Sequence, residues 1–85
     1  MNIFNGPVRI QLIQAVIHPS GTQEWYLDGQ LHREDGPAVI HPSGYQAWYL
    51  NGQVHRDDGP AIISPDGTQV WYLNGIRIDP AGQQQ

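Results

Sequence analysis

Glu34-Asp35 and Asp57-Asp58 are the residues best suited to acid–base chemistry, because adjacent carboxylates can hold and pass a proton. Each pair follows an arginine, Arg33 or Arg56, and precedes Gly-Pro. Two readings fit them. They can shape a turn and form salt bridges between neighbouring segments, as acidic residues commonly do in turns. Or they can line one edge as a negative docking stripe for a basic surface. The histidines form two spaced pairs, His18 with His41 and His32 with His55. A metal centre needs three or four ligands converging at about 2 Å. Fixed spacing makes parallel rows instead, and no Glu or Cys stands where it would complete a His pair. These histidines therefore read as satisfied or stacking groups, with no metal site. Tyr26, Tyr49 and Tyr72 make a further row. Tyr offers a large contact area with a polar tip, so the row is either a recognition surface or packing against strand neighbours or a second copy of the chain. No Ser-His-Asp pattern and no phosphate-cradling glycine loop before a helix is present. Identical residues at regular intervals argue against a catalytic centre, which needs asymmetric convergence. The expectation is a protein that is not an enzyme and needs no cofactor.

The elements that must position these residues follow a period of 23 residues. Trp25-Tyr26-Leu27, Trp48-Tyr49-Leu50 and Trp71-Tyr72-Leu73 keep it, and so do Asp28-Gly29, Asn51-Gly52 and Asn74-Gly75. Segments 15–37 and 38–60 agree at 18 of 23 positions, and 61–83 keeps 11 of the 23 identities of the middle copy. Asn5-Gly6 falls on the same grid, so 1–14 reads as a degenerate half-copy capping the array. A fixed short period is the mark of stacked units that bury their faces against neighbours. The whole of 1–85 is thus one repeat domain, with a frayed tail at 80–85.

Each copy reads as β-hairpins. Aromatic and branched residues suit a half-buried pleated surface, and Asn-Gly or Asp-Gly supplies the two positive-φ positions of a type I′ turn. His18-Pro19-Ser20-Gly21 and its equivalents at 41–44 and 64–67 give the second turn. Asp-Gly-Pro should end each return strand. The prediction is an all-β fold: a single-layer, twisted, open antiparallel meander of about eight strands. Val8–Ile17 should be one strand, and 22–27, 45–50 and 68–73 the central ones. A two-residue turn then sets Leu50 against Gln53, Tyr49 against Val54, Trp48 against His55 and Ala47 against Arg56. In the outer copies it sets Trp25 against His32, Glu24 against Arg33, Trp71 against Ile78 and Val70 against Asp79. Alternation places the Trp, Leu and His ladder on one face and the Tyr row on the other. Equivalent strands lie two ladder steps apart, so Trp rings should be spaced at roughly 10 Å, with His32 and His55 between them.

Composition narrows the function. The chain has 85 residues, no Cys and a net charge of −4, and its four basic residues are all Arg. Without Cys there is no disulfide framework or thiolate metal site. So acidic a chain is a poor direct binder of phosphate backbones but can meet a basic protein surface. No run is long and apolar enough to span a membrane, and 1–14 lacks the basic start of a signal peptide. The expectation is a cytoplasmic protein, in the host cytoplasm if phage-encoded.

The pattern Trp-Tyr-Leu-Asn-Gly-x-x-His-Arg-x-Asp-Gly-Pro-Ala, closed by Pro-Ser-Gly or Pro-Asp-Gly, resembles the MORN repeat and its bacterial and viral variants. The resemblance covers residues 15–75. It implies stacked hairpins in an elongated open sheet that acts as a scaffold or binding surface; the basic patches by which some members meet lipid are not found here. Two functional expectations follow. One is a protein-binding module using a sheet face and the acidic stripe, a small phage or mobile-element inhibitor of a host defence complex. Its contacts would be Tyr26, Tyr49, Tyr72, Glu34, Asp35, Asp57 and Asp58. The other is a homo-oligomeric binder, paired through faces or edge strands, that encloses a nucleotide-like ligand between aromatic rows and Arg33 or Arg56, or a structural assembly protein.

Overall fold

The computed structural model describes residues 12–78, and they contain no helix. Ten short strands run in chain order: β1 (Gln14–Ile17), β2 (Gln23–Leu27), β3 (Gln30–Leu31), β4 (Val39–Ile40), β5 (Gln46–Ala47), β6 (Tyr49–Leu50), β7 (Gln53–Val54), β8 (Ile62–Ile63), β9 (Gln69–Leu73) and β10 (Ile76–Ile78). Every pairing is antiparallel. The main sheet runs β1-β2-β4-β5-β8-β9-β10, with β3 also on β2, and β6 pairs with β7. Two backbone bonds, Gly52 N–H to Leu31 C=O at 2.9 Å and Arg33 N–H to Tyr49 C=O at 3.1 Å, stitch the β6–β7 hairpin to β3. The fold is the expected all-β meander of hairpins in an open sheet. The expected Asn5-Gly6 turn, the start of the Val8 strand, Asp79 and the 80–85 tail lie outside the described residues.

Turn chemistry sets the path. Asp28, Asn51 and Asn74 have φ of 51–54°, and the Gly after each has φ of 79–81°. Two consecutive positive φ values define the type I′ turn, whose twist matches its strands. The other hairpins are three-residue loops. His18, for example, accepts from Gly21 N–H at 2.8 Å and donates to Thr22 C=O at 2.9 Å, with Gly21 at φ 97°. That is a type I turn closed by a left-handed residue. The register agrees with expectation near the tight turns: Leu50 faces Gln53, Tyr49 faces Val54 and Trp71 faces Ile78.

Farther along the return strand the register departs from expectation. Trp25 C=O accepts from His32 N–H at 2.9 Å, while Trp25 N–H donates to Ala38 C=O at 2.9 Å. Trp48 is held the same way by His55 at 3.0 Å and Ala61 at 2.8 Å. One tryptophan thus uses two partners where an antiparallel pair normally needs one, and the five residues between them, 33–37 or 56–60, leave the ladder. Arg33 therefore does not oppose Glu24, which faces Val39, and Arg56 does not oppose Ala47, which faces Ile62. Val70 also faces Ile62. The cause is the Asp-Gly-Pro tripeptide. Proline has no N–H for the ladder, so the chain loops out as an enlarged bulge and rejoins at Ala.

The described residues form no helix to pack on either face, so little is buried. Among the described residues the buried apolar side chains are Ala38, Val39, Ala47 and Ala61, joined by one polar side chain, His32. Ala38 and Ala61 sit where the looped-out segment rejoins the ladder, and Ala47 lies in β5 opposite Val39 and Ile62.

Candidate functional site

The looped-out segment folds back over the tryptophan that it skipped. Arg33 Cζ lies 3.9 Å from the centre of the Trp25 ring, and Arg56 Cζ lies 4.0 Å from that of Trp48. A guanidinium over an aromatic face is attracted by the ring quadrupole. Its edges are also bonded. Arg33 Nε donates to Asp35 at 3.1 Å and its terminal nitrogen to Pro37 C=O at 3.2 Å. Arg56 repeats this with Asp58 at 3.1 Å and Pro60 C=O at 3.0 Å. Glycine closes the other side. A Cβ on Gly36 would stand 3.2 Å from Arg33 Cζ, and one on Gly59 only 2.9 Å from Arg56 Cζ. So Arg-x-Asp-Gly-Pro is a cradle for its own arginine. The ring is covered by arginine, not by the histidine expected there.

Histidine instead joins successive copies. His32 Nδ1 accepts from Asn51 N–H at 2.9 Å, and His55 Nδ1 accepts from Asn74 N–H at 2.9 Å. The proton then sits on Nε2, which points at Glu34 at 3.4 Å or Asp57 at 3.0 Å. Each imidazole relays between a carboxylate of its own copy and the tight turn of the next. His18 bonds Glu24 at 2.8 Å, and His41 stands edge-on to Tyr45. Among the described residues no cluster of three or more potential ligands could hold a metal, and no helix is long and apolar enough to cross a membrane.

Two grooves open beside the cradles. The larger, about 490 Å³, lies between the 33–36 loop of one copy and Trp48, Leu50, His55 and the 56–58 loop of the next. The second, about 410 Å³, has Ile13 against Trp25 and the 33–35 segment. Both are open troughs rather than enclosed cavities. Arg33, Glu34 and Asp35 form the wall that the two share. In the larger groove two guanidinia meet four carboxylates, so it is net negative, a poor seat for an anionic ligand.

The predicted contact residues divide into two groups. Glu34, Asp35, Asp57 and Asp58 all line the larger groove. Each bonds His or Arg of its own copy, yet their side chains stay 69, 87, 80 and 86% exposed. The salt bridges run within a copy, not between copies. The tyrosines lie elsewhere. Tyr26 and Tyr72 alternate with Trp25 and Trp71 along β2 and β9 and so face the other side. Tyr26 donates to Glu24 at 2.9 Å, which raises the Tyr26 pKa. Bonds from His18 first, then from Tyr26, lower that of Glu24. Burial, with Tyr45 and Tyr72 nearby, raises the Tyr49 hydroxyl. The tyrosine row and the acidic stripe are thus two separate surfaces. Trp48, absent from the predicted contacts, and Arg33 and Arg56, expected only against a nucleotide-like ligand, line the larger groove. Comparison with family models, curated proteins and solved structures gives no match.

Proposed function

We propose that this chain is a non-enzymatic protein-binding module that docks a basic partner surface on its groove face. One observation carries the reading: four carboxylates rim a single aromatic-walled groove and remain at least 69% exposed after their internal bonds are made. Complementary charge of this kind guides encounter and sets specificity. The tyrosine face takes no part in this contact. The small size, the net charge of −4 and the MORN-like motif support a further step, a phage or mobile-element inhibitor whose basic partner belongs to a host defence complex.

The test is affinity capture with two forms of the chain: wild type, and a variant with Glu34→Gln, Asp35→Asn, Asp57→Asn and Asp58→Asn. The amides keep the acceptors for His and Arg. The expected result is a protein held by wild type at low salt, released at high salt and missed by the variant. Equal capture by both forms rejects the groove as the docking surface.

A further inference from the structure

The two grooves share part of one plan: Trp25, Arg33, Glu34 and Asp35 in the smaller stand one period before Trp48, Arg56, Asp57 and Asp58 in the larger. Trp25 and Trp48 are 23 residues apart, as are the acidic pairs, and Ile13 stands where Gly36 stands in the next groove. From β2 to β5 the sheet takes two ladder steps through β4, so the grooves repeat at about 9.5 Å. Each offers an apolar wall for an aliphatic stem, Trp25 with Ile13 or Trp48 with Leu50, beneath a rim of carboxylates for a charged head.

We infer that the occupant is a polyproline-II peptide with Lys or Arg at every third residue, lying across the strands. The inference rests on the docking reading above and specifies its ligand. Spacing decides the conformation. A polyproline-II chain rises about 3.1 Å per residue with three residues per turn, so positions i and i+3 point the same way about 9.3 Å apart. A β-strand presents i and i+2 on one side at only about 6.6 Å and turns i+3 to the other side. Helical i and i+4 sit about 6 Å apart along the axis. The first matches the groove repeat most closely; a helical i and i+7, about 10.5 Å apart, overshoots it by about 1 Å at every site. Aromatic-walled grooves also suit this preformed, low-entropy helix, whose prolines pack on the rings. Each guanidinium takes one rim carboxylate, Asp35 or Asp58, and one carbonyl, so Glu34 and Asp57 are the rim groups without an arginine.

Fluorescence anisotropy with the full chain tests this. The probes are labelled peptides of one length and composition: Lys-Pro-Pro repeated, the same residues with all lysines in one block, and a Glu-Pro-Pro repeat. The spaced lysine peptide should bind about tenfold more tightly than the blocked one, with affinity falling steeply with salt. The Glu34→Gln/Asp57→Asn variant, which keeps the histidine bonds and whose circular dichroism should match wild type, should lose about fivefold. Equal affinity for spaced and blocked peptides overturns the inference but leaves the acidic docking surface standing. Binding of the Glu-Pro-Pro repeat overturns both. If no basic peptide binds while the capture experiment still separates wild type from the neutral variant, the partner is a folded surface and the peptide inference falls alone.

Discussion

At the scale of single residues, arginine organises the groove. Arg56 is held by a ring, a carboxylate, a carbonyl and the bare backbone of Gly59. Gly59 has no positive φ to satisfy, so its role is space rather than conformation. Gly59→Ala should push the guanidinium off Trp48 and cost about 1 kcal/mol, the worth of a partly exposed cation–π contact. The clash is with the far end of a flexible side chain, so it ends once the arginine has moved. In a double-mutant cycle, adding Gly59→Ala to Arg56→Ala should therefore cost almost nothing more. Urea midpoints check this, and additive penalties would show that Gly59 acts through something other than Arg56. Glu24 gives a second prediction. Its folded pKa lies below its unfolded value because His18 and Tyr26 bond the carboxylate. Its contribution is complete above the ordinary carboxyl range and is lost as pH falls through the lowered value. Glu24→Gln should flatten that part of the stability–pH curve, read as urea midpoints across the acid range. The arginine cradle was not legible in the sequence, because strand alternation assigns a side chain to a face only while the chain stays in the ladder. Arg33 and Arg56 leave it.

Among elements, the tight turns are what each copy offers the next. The donor at the first turn position, Asn51 or Asn74, points out of its hairpin into the imidazole of the preceding copy. The second position does likewise: Gly52 N–H meets Leu31 C=O, and Gly75 N–H meets Val54 C=O at 2.8 Å. His32→Ala removes an acceptor and strands a partly buried N–H, which should cost about 1–3 kcal/mol. His55→Ala should cost less, because the bond it makes to Asn74 is exposed whereas that of His32 to Asn51 is partly buried. Amide exchange at Asn51 should quicken in the first variant and at Asn74 in the second. If exchange at Asn51 is unchanged in His32→Ala, the histidine is not the latch. The turns themselves were readable, since Asn-Gly between aromatic runs has few other uses, and a two-residue loop fixes its nearest pairs. The bulge was half readable: Asp-Gly-Pro announced a break, but not that the chain would rejoin the same tryptophan. The expected strand pairs beyond His32 and His55 failed for that reason. The four carboxylates were visible as a row, but their separation from the tyrosines was not, because residues that leave the ladder escape the alternation rule.

For the whole molecule, the absence of a large buried core places stability in the joints between copies. Four small apolar side chains and one histidine are buried among the described residues, too little for one cooperative centre. Arrays of this kind gain stability from each unit and each nearest-neighbour joint. The two described joints are alike: His32 to Asn51 and Arg33 to Tyr49 in one, His55 to Asn74 and Arg56 to Tyr72 in the other. Removing 38–60 and joining Pro37 to Ala61 should therefore leave a folded chain of 62 residues, 85 less 23. Ala61 would take the place of Ala38, and His32 would meet Asn74 as His55 does now. Stability should fall by one unit and one joint, and the urea m-value should fall with the surface lost. Removing 38–49 instead takes about half a period and leaves Ala38's position to Leu50. That chain should be unfolded, although it keeps more residues. Far-UV circular dichroism and urea titration separate the cases: if the full-period deletion is as disordered as the half-period one, the copies are not interchangeable units and the 23-residue repeat is not the structural unit. The same deletion merges the two grooves into one. A peptide that spans both should then bind no better than one carrying a single lysine, which ties the sheet's repeat to the ligand's.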